Sequence, residues 1–128
     1  MKKIKSHKDL EVYQMAYDAA NRIFKLSKTF PKEELYSLTD QIRKSSRSVA
    51  TNIAEAFRKR KYERAFVSKL SDAEAEAAET QVWLDFSLDC GYISIKEHEE
   101  LYTTYDRILG MLVNMAMHPE HWSFGRNN

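Results

Sequence analysis

The sequence predicts an all-α fold, an antiparallel up-down-up-down four-helix bundle, and three observations carry that prediction. The 128-residue chain holds only three glycines and two prolines, against ordinary usage of about 7% and 5%, so it has few places to turn. Apolar residues recur at spacings of three and four through four successive segments, the signature of amphipathic helices. No segment sustains a two-residue alternation, so no strand is expected. Pro31, the basic cluster Arg58 to Lys61, Gly91 and Pro119 mark the divisions, and helices of about 20 to 28 residues, each roughly 30–40 Å long, fit between them. Short links between such helices favour the antiparallel bundle.

The first helix is expected over about 8–28. Ser6 is its candidate N-cap, with Asp9 three residues on. Leu10, Tyr13, Tyr17, Ala20 and Phe24 form one row, and Val12, Ala16, Ala19, Ile23 and Leu26 widen the face. Phe30-Pro31 stops it. The second helix is expected over about 33–60, with Ser37 as a later possible start. Its seam is Leu35, Ile42, Val49 and Ala56, with Leu38, Ser45 and Asn52 as companions. Ser45 is small enough to pack there, and Asn52 needs a hydrogen-bond partner across the bundle. The third, about 62–90, uses Phe66, Leu70, Ala73, Ala77, Thr80 and Leu84, with Gly91 as its stop. The fourth, about 94–117, opens on the capping box Ser94 and Glu97. Leu101, Ile108, Leu112 and Met115 form its stripe, flanked by Tyr105, Leu109 and Met111. Pro119 ends it, and the tail 118–128 is expected to be partly disordered, with Trp122 and Phe124 able to dock back.

Composition excludes several classes. The apolar content of 43% suits one soluble domain that needs neither disulfide nor structural metal. A lone cysteine, Cys90, cannot form an internal bridge, which removes disulfide scaffolds and cysteine-rich zinc modules. The basic N-terminus is not followed by an apolar run, so no signal peptide is expected, and no stretch is long enough to span a membrane. A cytoplasmic location without membrane partners follows as the expectation.

The net charge of +1 conceals a division along the chain. Between Arg43 and Arg64 stand eight basic residues, Arg43, Lys44, Arg47, Arg58, Lys59, Arg60, Lys61 and Arg64, against Glu55 and Glu63. Between Asp72 and Asp106 ten acidic residues face Lys96 alone. On a continuous helix, Arg43, Arg47, Arg58 and Lys61 fall within an arc of about 60°, opposite the seam. Ala50 and Ala54 share that arc, giving a basic stripe with a small, flat centre. Such a stripe can follow a phosphate backbone, receive an acidic helix of another copy, or simply face solvent.

Candidate reaction centres fail one by one. Cys90 has Asp89 beside it, which does not favour a thiolate, and is expected to be a buried or half-buried small residue. His118 and His121 have a metal-ligand spacing, but beside Pro119 and Glu120 alone they are expected to form a solvated tail. Glu76 and Glu79 lack the Glu-x-x-His partners of a di-metal bundle, and His7 and His98 stand isolated. No metalloprotease, phosphate-loop or EF-hand pattern occurs. The expectation is no catalytic residue, no metal and no cofactor.

Gln41-Ile42-Arg43-Lys44 followed by Ser48-Val49-Ala50-Thr51-Asn52-Ile53-Ala54-Glu55 resembles the signature segment of the bacterial four-helix-bundle family associated with intervening sequences in 23S ribosomal RNA genes. Asp9 to Tyr13, Phe30-Pro31 with Glu34-Leu35-Tyr36, Glu79-Thr80-Gln81, Trp83-Leu84 and Gly91-Tyr92-Ile93 extend the likeness over about residues 7 to 117. Ala56 departs from it, where the family usually has glycine, so the second helix is expected to run on to about Arg60. The resemblance implies a ring-like homo-oligomer, most often a pentamer. A related branch, accessory proteins of diversity-generating retroelements, is thought to bind nucleic acid and a reverse transcriptase through a basic surface. For most members no biochemical activity is implied. Carried onto this chain, Ser48, Asn52 and Glu55 look architectural, Asn52 bridging helices and Glu55 pairing with a basic neighbour. Arg43, Lys44, Arg47, Arg58, Lys59, Arg60, Lys61 and Arg64 are the candidate nucleic-acid contacts.

Two functional expectations result. One is a non-enzymatic homo-oligomer that binds structured RNA or DNA. The other is a structural or adaptor protein whose basic and acidic faces serve self-assembly or a protein partner.

Overall fold

A computed structural model describes residues 4–122. It contains four α-helices, α1 (Glu11–Ser27), α2 (Leu38–Arg58), α3 (Glu63–Asp89) and α4 (Ile95–Met117), and no strand among the described residues. Each helix packs on its sequence neighbours, and α4 closes on α1. Cross-helix contacts give the directions. The end of α1 meets the start of α2 at Ser27 and Arg43. Thr80 meets Ser45 and Lys69 meets Asn52 across α2 and α3. Gln81 reaches Asp106 while Asp85 reaches His98 across α3 and α4, and Arg22 meets Glu100 across α1 and α4. Every adjacent pair is therefore antiparallel, so the helices pack as an up-down-up-down bundle.

The α3 and α4 seams coincide with their sequence pattern. Phe66, Leu70, Ala73, Ala77, Thr80 and Leu84 are all buried, as are Leu101, Tyr105, Ile108, Leu112 and Met115. In α1 the second apolar row supplies most of the core, with Val12, Ala16, Ala19 and Ile23 buried, and Leu10 and Ala20 of the first row are buried beside them. Tyr17 of the first row is 53% exposed.

Both early helices begin later than periodicity places them. Ser6 and Asp9 form their capping box, the Ser6 N–H donating to Asp9 Oδ2 (3.1 Å) and the Lys8 N–H to Ser6 Oγ (3.2 Å). That box caps only a 3-10 turn, His7–Asp9; Leu10 then turns extended and buries its side chain, so α1 starts at Glu11. In the second case Pro31 is extended and a 3-10 turn, Lys32–Glu34, follows. The Glu34 carboxylate accepts from the Leu38 N–H (3.3 Å) and the Ser37 hydroxyl (2.6 Å), capping α2 from outside the helix. Helix α2 therefore starts at Leu38, not at residue 33. Leu35 lies in the link, 45% exposed, and Leu38 takes its expected place in the core.

The far ends follow from local chemistry. Helix α2 stops at Arg58, two residues before Arg60. At the end of α3, Gly91 adopts φ +78°, the Tyr92 N–H bonds Ser87 O and the Gly91 N–H bonds Leu88 O. This is a Schellman ending that a residue with a Cβ disfavours. Cys90, one residue earlier, is exposed rather than buried, because the helix terminus turns it outward. Helix α4 opens on its capping box, Glu97 N–H to Ser94 Oγ at 3.0 Å and Ser94 N–H to Glu97 Oε1 at 2.8 Å. Trp122 docks on the core after a 3-10 turn, Pro119–His121. Phe124 lies outside the described residues.

Candidate nucleic-acid interface

The basic residues of the α2 region divide by what they touch. Arg43 is half-buried: its Nε donates to Ser27 Oγ (2.8 Å) and its guanidinium lies 4.7 Å from the Phe24 ring centroid. It fastens α2 to the end of α1. Lys44 pairs with Asp40 one turn back at 3.1 Å. Arg60 folds onto its own helix end, its guanidinium 3.7 Å from the Phe57 centroid and its Nη1 donating to Phe57 O (2.7 Å). Partial burial, and then the neighbouring Arg58, push its pKa below the usual guanidinium range. These three side chains are engaged within the chain.

Arg47, Arg58, Lys59, Lys61 and Arg64 are exposed. Arg47 also stacks on Phe24, at 5.1 Å, and Lys61 stands 5.6 Å from the Tyr62 ring. Arg58, Lys59 and Arg64 form no ion pair among the described residues, and all three surround the link 59–62 between α2 and α3. Because α2 ends at Arg58, Lys61 belongs to that link and not to a straight stripe with Arg43. The basic surface is accordingly a knob at one end of the bundle, with Arg47 about three turns away along α2.

The expected flat centre is not an outward face. Ala50 is buried and Ala54 half-buried against α1, where they floor a groove of about 330 Å³ walled by Tyr13, Tyr17, Ala20 and Arg47. Tyr13 and Tyr17 stack at 5.9 Å.

Ser48, Asn52 and Glu55 come together on the opposite side of α2 and are joined through Lys69 of α3. Asn52 donates to the Ser48 carbonyl (2.9 Å) and lies 3.0 Å from Ser48 Oγ, while its own oxygen accepts from Lys69 Nζ (3.2 Å). Glu55 meets the same ammonium at 2.7 Å. That hydrogen bond, assisted by the charges of Glu55 and Asp72, raises the Lys69 pKa. Burial, and then the charge of Glu79, hold the Glu76 carboxyl above its ordinary range, and a hydrogen bond with Ser48 offsets part of this. One turn deeper, Thr80 Oγ1 lies 2.8 Å from Ser45 Oγ and from the Glu76 carbonyl. So each polar group in this seam has a partner. Sequence reasoning missed Lys69; antiparallel pairing about the link 59–62 is the signal that places it opposite Asn52.

At the other end of the chain, His118, Glu120 and His121 also come together, their donor atoms within 4.8 Å of one another. No helix among the described residues is long and apolar enough to cross a membrane.

The fold and this site define an all-α four-helix-bundle protein with a polar α2–α3 seam and a basic knob. The chain belongs to the 23S rRNA-intervening sequence protein family, whose model matches residues 8–114. It is similar to a crystal structure from Bacteroides thetaiotaomicron, described as a protein of unknown function from the S23 ribosomal protein family. The two share 27% identity over 82% of this chain and 97% of the other, with a TM-score of 0.74. No curated protein matches the chain.

Proposed function

We propose that this protein is a non-enzymatic, cytoplasmic homo-oligomer, a ring and most simply a pentamer, that binds structured RNA through the basic knob. The observation that carries the reading is the exposure of Arg58, Lys59, Lys61 and Arg64 around one link, while Arg43 and Arg60 from the same run are folded inward. Exposed cations outside any ion pair are free to displace counterions from a phosphate backbone. A ring multiplies the knob by its copy number, and recognition is of backbone and shape, since no base-reading module is present among the described residues. The test is RNA titration from low to physiological salt on a sample whose mass is fixed by light scattering. Binding that falls steeply with salt supports the reading; no retention of structured RNA at low salt overturns it.

A second reading is favoured by two surfaces of the same chain. The groove lined by Tyr13, Tyr17 and Arg47 is aromatic and basic. A hollow of about 470 Å³ beside Trp83 and Phe86 is mainly apolar, with the single carboxylate of Glu34 at its edge. Such a pair suits head-to-tail assembly, which makes the protein an adaptor for itself or for a protein partner, a reverse transcriptase among the candidates. Charge reversal at Arg47 and Arg58 separates the two. Loss of the oligomer favours assembly, and an intact oligomer that no longer binds RNA favours the first reading.

A further inference from the structure

We propose that His118, Glu120 and His121 form a binding site for a divalent first-row transition-metal ion of the zinc type, with solvent completing the coordination. The site lies on the turn that follows α4, which packs on α3 at the same end of the bundle as the basic knob. Glu120 Oε2 stands 3.6 Å from His118 Nδ1 and 3.7 Å from His121 Nε2. A tetrahedral ion with bonds of about 2.0–2.2 Å holds its donors roughly 3.4 Å apart, so both carboxylate-to-imidazole separations are already near bonding geometry. The two imidazole rings lie nearly parallel, 8° apart with centroids 5.0 Å from each other. All three donor atoms fall within 4.8 Å, and because an imidazole lone pair lies in its ring plane, one of the two stacked rings turns about its side-chain torsions for both to reach a common ion.

The backbone beneath these donors is organised in advance. The His118 N–H bonds Met115 O (3.2 Å), the His121 N–H bonds His118 O (3.0 Å) and the Trp122 N–H bonds Pro119 O (3.0 Å). Pro119 sits at the first position of the 3-10 turn, where its ring presets the backbone. Trp122 anchors the far side by packing on the core. An ion therefore meets donors on a held turn and not on a free tail, which lowers the ordering cost of binding. Two imidazoles and one carboxylate favour zinc, nickel, cobalt or copper over magnesium or calcium, which prefer all-oxygen sites.

The experiment is calorimetric titration of ZnCl2 into the 128-residue chain without an affinity tag, followed by NMR of the indole N–H resonances. The expected result is one zinc per chain, no heat from MgCl2, and at least a tenfold loss of affinity in Glu120→Gln and in His121→Ala. Zinc should shift the Trp122 indole resonance and leave that of Trp83 in place. These side chains are outside the core, so circular dichroism of the variants should match the parent. Absence of zinc binding, equal binding of magnesium, or unchanged affinity in a His118→Ala/His121→Ala double variant would each overturn the proposal.

Discussion

Helix α2 presents basic side chains at both ends, and the two ends use them differently. Near its start, Arg43 is bonded to Ser27 and stacked on Phe24, and Lys44 is paired with Asp40. At and past its end, Arg58, Lys59 and Arg64 surround the α2–α3 link with no ion pair among the described residues. Arg43 holds two helices together and Lys44 pairs within α2 itself, while the second group faces outward. A run of charge in a sequence is thus not one surface: the fold assigns each cation either to packing or to a ligand.

Removing the outward group should give the largest change. Arg58→Ala/Lys59→Ala/Arg64→Ala is expected to weaken RNA binding by roughly two to three decades at 0.1 M salt and flatten the salt slope by about 2.7, on three phosphates at about 0.9 each. Thermal stability should stay within about 0.5 kcal/mol of the parent. Loss of the fold in that variant, or unchanged RNA affinity, breaks the distinction.

The inward polar seam supplies the next effect. Thr80→Val removes the 2.8 Å bond to the buried Ser45 hydroxyl and leaves it only its 3.5 Å bond to the Ile42 carbonyl, and denaturant unfolding should show a loss of about 1–3 kcal/mol. RNA affinity per folded oligomer should not move.

Arg43→Ala removes a hydrogen bond and a cation–π contact between α1 and α2. About 1–2 kcal/mol of stability should be lost, whereas Arg47→Ala, whose guanidinium stacks on the same ring from an exposed position, should cost less. Equal losses in the two variants would show that burial does not separate them.

The smallest effect is a pH dependence at the strut between the first and third links, where the Tyr92 hydroxyl donates to Glu34 at 3.0 Å. The Glu34 carboxyl is held low by hydrogen bonds from Ser37 and Tyr92, and the Tyr92 pKa is pushed up to about 12, chiefly by that hydrogen bond. The depressed Glu34 contributes stability above its ordinary value of 4.5 that is lost as pH falls through its folded value. The raised Tyr92 contributes stability below its ordinary value of 10.0 that is lost as pH rises toward 12. Tyr92→Phe should flatten melting temperature against pH at both margins, and a profile identical to the parent would show that the strut carries no linkage.

The residues that sequence periodicity located are those whose role depends only on their own helix. The α3 seam from Phe66 to Leu84 is buried throughout, and both capping boxes, at Ser6 and at Ser94, form. Local bonds within four residues are enough to specify them. The errors fall where a partner distant in sequence intervenes. Leu35 fits the heptad of α2, yet Glu34 caps the helix three residues later and leaves Leu35 outside. Ala50 belongs on the wheel to the basic arc, yet α1 covers it. Asn52 and Glu55 look architectural from their positions, but Lys69, seventeen residues beyond Asn52, is what joins them.

The sequence by itself determined four amphipathic helices, their order and the antiparallel course that short links require, because hydrophobic period, caps and glycine act over a turn or two of chain. Which cations remain at the surface was decided only by the tertiary structure. A guanidinium is withdrawn when a ring, a hydroxyl or a carbonyl from elsewhere in the fold offers it a better environment than water, as Phe24 with Ser27 does for Arg43 and the end of α2 does for Arg60.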